Sequence, residues 1–328
     1  MSGYTSVGES LARGARDLGH DATFVDAAAA YAAPRWVRRL NWHLRDHRPP
    51  RLRQFERALL ARAAEIRPDL VVATGQMPIT APTLAALARL GARTVNVSTD
   101  DPWNRNSRSR RSLAALAAYD AVFTPRRANV AQIAALSGPA VYYLPFAYDP
   151  VHCVGAPLTD SERARFACDV VFVGGADSDR AALLRPLIES DLNVHLYGAN
   201  WSRFGWAAMA DRGPTTPEDI RKATLGASVS LCLVRRANRD GHVMRTFEIA
   251  AAGVCMLVEW TDEHEALFGP DRDTVAYFRG DDDLLPQARA LVARPDVQRT
   301  LAARVAALMR HEPHQYRDRM AEIIDRAT

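Results

Sequence analysis

Short apolar runs alternate with amphipathic stretches along the whole chain, the pattern of parallel sheets covered by helices. In the first half, Ala22–Val25, Leu70–Ala73, Thr94–Val97, Ala121–Phe123 and Val141–Tyr143 read as strands. Apolar residues at spacings of three and four predict helices over Gly8–Leu18, Arg51–Ile66, Ala81–Leu90, Ser109–Ala118 and Arg127–Leu136. Gly19 and Gly91 stand just past two of these, where a left-handed helix cap favours glycine. A second strand series follows: Val170–Val173, Asn193–Leu196, Val229–Val234, Val254–Glu259 and Thr274–Tyr277. Pro150, Gly155 and Pro157 interrupt the periodicity within Asp149–Arg165, so two doubly wound α/β domains are expected, 1–154 and 155–312, with 313–328 closing the chain. Ligands in such sheets bind beyond the carboxyl ends of the strands, and two facing sheets would enclose a cleft. A doubly wound domain opens with a strand running into a glycine turn. This sequence enters at Ser2-Gly3-Tyr4-Thr5-Ser6, which resembles that turn already, so the first domain is expected to lack its first strand.

Composition narrows the class. A length of 328 residues suits two cores, and 48% hydrophobic with 24% charged residues is ordinary for a soluble globular protein. No apolar run approaches the roughly 20 residues that span a bilayer, and no apolar signal core opens the sequence; a cytoplasmic protein is expected. Cys153, Cys168, Cys232 and Cys255 are scattered and read as reduced structural thiols. The net charge of +4 comes almost wholly from arginine, Lys222 being the only lysine, which implies weak attraction for phosphates; no nucleic-acid partner is expected, because the arginines are spread and form no recognisable module. No histidine or cysteine spacing suggests a metal site; His311 and His314 flank Pro313.

One ordered set of segments carries more information than any single motif. Its centre is Asn238-Arg239-Asp240-Gly241-His242-Val243-Met244-Arg245-Thr246-Phe247-Glu248-Ile249, followed by Ala250–Gly253 and by Glu259-Trp260-Thr261-Asp262-Glu263-His264. Asn96–Asn104, Tyr119–Pro125, Tyr143–Asp149, Asp169–Gly175 and Leu196–Trp201 join it in order. In these segments the chain resembles the CgeB-like (spore maturation protein-like) glycosyltransferases, a group with the two-domain GT-B fold. The resemblance implies a nucleotide-sugar donor as co-substrate, no further cofactor, an acceptor of unknown kind and a closing helix, Tyr316–Ala327, that crosses back onto the N-terminal domain. It also implies that Glu248 is the ribose-binding glutamate. Where many retaining GT-B enzymes carry the first of two glutamates, this chain has Asp240.

A nucleotide sugar presents a ribose diol, a pyrophosphate and a leaving oxygen that gains charge, so its site needs a carboxylate and positive charge. Glu248 suits vicinal hydroxyls, through charge-assisted bonds. Arg245, in the first turns of a helix expected to open at Gly241, suits phosphate beside free backbone N–H groups. His242 suits phosphate or donor sugar, or is a packed histidine; Asp240 is a site residue or that helix's N-cap. Arg235 and Arg239 follow a strand at its ligand-facing end, as do Gly174 and Gly175, and Gly198, Asn200 and Trp201. In the first half, Asp100 and Asp101 follow a strand and either serve an acceptor hydroxyl as base or guide, or shape a turn before Pro102. Two other classes compete with a metal-independent, retaining transferase. One is a non-catalytic GT-B-like protein that binds a nucleotide sugar. The other, a nicotinamide-dependent oxidoreductase, is disfavoured because no Gly-x-Gly-x-x-Gly follows any expected strand.

Overall fold

The computed structural model describes residues 6–327, which fall into two compact units. The N-terminal unit comprises Val7–Pro145, the short segment Ala237–Arg239 and residues 316–327. Its helices are α1 (Val7–Asp17), α2 (Arg35–Leu44), α3 (Leu52–Ile66), α4 (Ala81–Arg89), α5 (Arg110–Leu116) and α6 (Arg127–Ala134). Its strands β1 (Leu70–Thr74), β2 (Arg93–Val97), β3 (Ala121–Thr124) and β4 (Ala140–Tyr143) form a parallel sheet in sequential order. All four residues of β3 are buried, as a strand covered on both faces by helices requires.

Ala22–Val25 is not a strand. Phe24 is exposed, and the run pairs with no strand among the described residues before the 3-10 turn Ala27–Tyr31, which Asp26 caps. In place of a strand ladder, the Ala22 carbonyl accepts the Arg16 guanidinium, Nε at 3.1 Å and Nη2 at 2.9 Å. Residues Ser2–Thr5 of the expected glycine turn lie outside the described residues. Among the described residues β1 and β4 are the edge strands of this sheet.

The C-terminal unit takes Phe146–Arg236 and Asp240–Gln315. Its helices are α7 (Pro150–Cys153), α8 (Asp160–Phe166), α9 (Ser178–Ile188), α10 (Pro217–Gly226), α11 (Met244–Ala252), α12 (Asp262–Phe268), α13 (Leu284–Val292) and α14 (Pro295–His311). Strands β5 (Cys168–Val173), β6 (Val194–Tyr197), β7 (Ala227–Cys232), β8 (Met256–Glu259) and β9 (Ala276–Phe278) lie parallel in the order β6-β5-β7-β8-β9. Helices cover both faces: one core centres on Leu184, Val229 and Leu257, the other on Phe247, Met256 and Val305. The units divide between Pro145 and Phe146, and Phe146, Tyr148 and Cys153 belong to the second of these cores.

The last helix, α15 (Tyr316–Ala327), belongs to the N-terminal unit. It crosses α1 at Gly14, where a Cβ would lie 2.8 Å from the Arg317 Cα, so only glycine permits the approach. Arg319 Nε donates to the Pro145 carbonyl at 3.0 Å, and Arg93 Nε to the Ala327 carbonyl at 3.1 Å. No helix among the described residues is long and apolar enough to cross a membrane.

Candidate functional site

Counted from its own first strand, the C-terminal sheet has the order 2-1-3-4-5, whose ligand crevice opens outside the carboxyl ends of the first and third strands. Those are β5 and β7. β5 runs into Gly174 and Gly175, and β7 into Leu233, Val234 and Arg235. The loop after β6 touches this turn: Gly198 has φ +152°, and a Cβ there would lie 2.3 Å from the Gly174 carbonyl oxygen. Trp201 Nε1 donates to the same oxygen at 2.9 Å. Its ring is fully buried and edge-on to Phe172, so the indole closes the core. Asn200 lies on the surface beside it with a left-handed backbone, φ 72°.

Arg180, which sequence reasoning missed, enters the crevice from the first turn of α9. Asp177 caps this helix, its carboxylate accepting the Arg180 N–H at 2.9 Å. The guanidinium lies 5.5 Å from the Phe172 ring centroid, and Nη1 donates to the Gly175 carbonyl at 3.3 Å. Its Nε is buried without a hydrogen-bond partner, and the Asp177 carboxylate stands 3.9 Å from it. Burial pushes the Arg180 pKa down; Asp177 opposes that shift and nearby Arg235 adds to it. A cation that gives up water without a tight carboxylate partner suits an anion that comes and goes. Arg235 is exposed and makes no ion pair among the described residues. Arg236, by contrast, is held by Glu259 and Asp281, each at 3.1 Å, and clasps the strand ends together. The signal that could have revealed Arg180 was its place six positions after the first glycine of a strand–turn–helix.

The helix bearing Arg245 and Glu248 starts later than expected. α11 begins at Met244, not Gly241, with Val243 in the N-cap position, and Thr246 Oγ1 accepts the Val243 N–H at 3.0 Å. Asp240 is therefore not the N-cap; it is buried, and its N–H donates to the Arg235 carbonyl at 3.4 Å. Arg245 and Glu248, one helical turn apart, form an ion pair. Glu248 is buried, and the pair lines an open recess together with His152, Cys153 and Arg221. Burial, with the Glu248 charge adding to it, pushes the Cys153 thiol well above its ordinary range, so this cysteine is an inert wall.

His242 leaves the catalytic set. Its Nε2 accepts the Phe146 N–H at 3.1 Å and its Nδ1 lies 2.6 Å from a Glu263 carboxylate oxygen. An accepting Nε2 assigns the proton to Nδ1, so both ring nitrogens serve the protein. His242→Ala would remove the acceptor of the Phe146 N–H and the Nδ1 partner of the Glu263 carboxylate. The expected loss is about 2–4 kcal/mol of unfolding free energy in a denaturant titration. A loss below about 0.5 kcal/mol would show the bridge to be incidental.

In the N-terminal unit, β2 ends in the loop holding Asp100 and Asp101. Arg126, nearly fully buried, donates to the Ser98 and Thr99 carbonyls at 3.4 and 2.8 Å and holds the loop's entry. Asp101 is 2% exposed and spent. Its Oδ1 accepts from the Trp103 N–H at 2.9 Å and Asn129 Nδ2 at 3.0 Å, and its Oδ2 from Arg239 Nε at 2.6 Å. Burial alone would raise this carboxyl; the bonds from Arg239, Trp103 and Asn129 outweigh it and hold the pKa below the ordinary value. Asp101 is thus a turn anchor and no base. Arg239, expected at the pyrophosphate, is committed to Asp101 and to Gln132 Oε1 at 2.7 Å. Asp100 is only partly buried, and its Oδ1 accepts a long bond of 3.4 Å from Asn238.

The depressed Asp101 pKa sets a pH dependence. Its stabilisation is complete above the unfolded-state value of 3.8 and is lost as pH falls through the lower folded value. Asp101→Asn should cost about 1–3 kcal/mol near pH 7, with the difference from wild type shrinking below pH ~4. Melting curves across that range would read it, and a pH-independent difference would remove the carboxylate as its cause.

The family described as Glycosyl transferase-like matches residues 180–325, from Arg180 into α15. Among solved structures, a glycosyltransferase from Rickettsia africae is similar with a TM-score of 0.61 at 9% identity, over 98% of this chain and 93% of its own. Sucrose-phosphate synthase from Thermosynechococcus elongatus is similar with a TM-score of 0.63 at 13% identity, over 84% of this chain and 77% of its own. The Anabaena protein Alr3699/HepE, solved in complex with UDP-glucose, reaches 0.60 at 12% identity, over 83% of this chain and 82% of its own. None of the curated proteins matches the chain by sequence. The fold is GT-B, and the segment from Arg180 into α15 is similar to the Glycosyl transferase-like family.

Proposed function

We propose that this chain is a CgeB-like glycosyltransferase that moves a sugar from a nucleoside diphosphate to an acceptor hydroxyl, without a divalent metal and with retention at the anomeric carbon. The observation that carries this reading is the pairing of Arg180 and Arg235 beside Gly174–Gly175 at the crevice of the C-terminal sheet. Two cations and close backbone approach suit a diphosphate, whose charge grows as the bond from the anomeric carbon to the phosphate oxygen breaks. Glu248 serves the ribose diol by exchanging its bond to Arg245 for bonds to the hydroxyls, which frees Arg245 for the phosphates. Asp100 guides the acceptor oxygen or takes its proton as the new bond to the anomeric carbon forms. The enzyme works in the cytoplasm on this reading.

Uridine diphosphate is the first nucleotide to test, because HepE, of the same fold, was solved with UDP-glucose. At 100 times its dissociation constant a nucleotide adds about 2.7 kcal/mol of stability, which a thermal-shift panel reads readily. Transfer or slow donor hydrolysis should persist in EDTA. Activity abolished by EDTA and restored by magnesium or manganese would overturn the metal-independent reading. Proton magnetic resonance of the first product would decide retention.

A further inference from the structure

The large apolar side chains that the molecule leaves in water concentrate on α2. Trp36 is 69%, Leu40 45%, Trp42 43% and Leu44 74% exposed. At 100° per residue, Trp36, Leu40 and Leu44 span one stripe of about 80°; Arg35 and Arg38 lie across the helix from it with Trp42 between them, and Arg39 and His43 border its Trp36 edge. The helix is held down through buried Asn41, beyond the stripe's far edge. Trp42 stacks on His47 with ring centroids 4.0 Å apart.

The charge around this stripe is one-sided. Residues 35–53 hold seven arginines and two histidines against one acid, Asp46. That acid is used elsewhere: its carboxylate accepts Ser109 Oγ at 2.9 Å and the Arg110 and Arg111 N–H groups at 3.2 and 3.0 Å, at the start of α5. Arg35, Arg38, Arg39 and Arg45 are exposed and make no ion pair among the described residues. A helix with Trp36, Leu40 and Leu44 along one stripe and unpaired arginines beside and behind it matches the boundary between acyl chains and anionic headgroups. A second copy of the chain would bring like arginine clusters together across a two-fold axis, which disfavours it. Nucleic acid would answer to the arginines but not to Trp36, Leu40 and Leu44.

We infer that α2 docks the N-terminal unit on an anionic phospholipid surface, with Trp36, Leu40 and Leu44 entering the acyl boundary and the arginines meeting the headgroups. The helix ends beside the loop that follows Asp100 and Asp101, since His47 Nδ1 lies 3.3 Å from the Ser107 carbonyl. A bilayer under α2 therefore lies next to the loop read here as serving the acceptor. Docking itself does not depend on that reading.

The test is co-sedimentation of the full chain with phosphatidylglycerol–phosphatidylcholine vesicles and with phosphatidylcholine vesicles. The expected result is binding to the anionic vesicles alone, weakened by salt. The variant Trp36→Ser/Leu40→Ser/Leu44→Ser should lower the partition about tenfold or more at an unchanged melting temperature, and Arg35→Ser/Arg38→Ser/Arg39→Ser should do the same. Brominated acyl chains should quench tryptophan fluorescence in wild type and much less in the Trp36→Leu variant. Equal pelleting of wild type and the apolar triple variant overturns the proposal. So does lipid-free dimerisation that the triple variant abolishes, or retention on DNA without any binding to vesicles. Because no readout involves sugar transfer, failure here leaves the transferase reading standing, and the reverse holds too.

Discussion

Arg180→Ala should weaken nucleoside diphosphate binding by about ten- to a hundredfold while leaving the unliganded protein as stable as wild type or slightly more so. Each charge-assisted bond from a guanidinium to phosphate contributes about 1.5–3 kcal/mol, and 1.4 kcal/mol is a factor of ten in affinity. In the free protein the same guanidinium stabilises little. Its Nε is buried without a partner, Asp177 stands 3.9 Å away, and Arg235 is a like charge nearby. Removing a desolvated cation that lacks a close counter-charge relieves a cost, the usual relation between a prepared binding residue and stability. Glu248→Ala should differ in kind: it too weakens donor binding, but it leaves Arg245 without its partner and so destabilises the fold. Calorimetric titration with uridine diphosphate beside melts of the free proteins reads both. An Arg180→Ala variant that melts well below wild type and binds nucleotide normally would place Arg180 in the scaffold.

Asp100→Asn is expected to depress sugar transfer by about a hundredfold or more, with donor affinity nearly intact. The substitution keeps the shape of the loop and an acceptor for the Asn238 amide, and takes away the proton acceptor. Asp101→Asn should behave in the opposite way, losing stability through the bonds to Arg239, Trp103 and Asn129. Its direct effect on chemistry should be small. Transfer rates and donor affinities for the two variants separate the roles. Equal loss of transfer in both would return Asp101 to the acceptor side. A wild type that binds donor tightly yet neither transfers nor hydrolyses it with any acceptor offered would favour a nucleotide-sugar-binding protein instead.

Strand and helix positions were legible in the sequence because they rest on local period. Runs such as Ala121–Phe123 and Val170–Val173 are apolar on both faces, which only a covered parallel sheet uses. Ala22–Val25 shows the limit of that argument, since a short apolar run becomes a strand only where another strand meets it, and that is a tertiary fact. The placing of Gly174, Gly175, Arg235, Asp100 and Asp101 at carboxyl ends of strands followed from chain order alone. Which charges were already spent did not follow. Arg236, Arg239, Asp101 and His242 carry the same chemistry in sequence as Arg180, Arg235 and Asp100, and differ in side-chain partners that lie 21 to 138 positions away along the chain. A side chain's residue type determines what it can bind. Whether it is still free to bind depends on the burial and the counter-charge that folding brings to it, and these arise between segments with no sequence relation to one another.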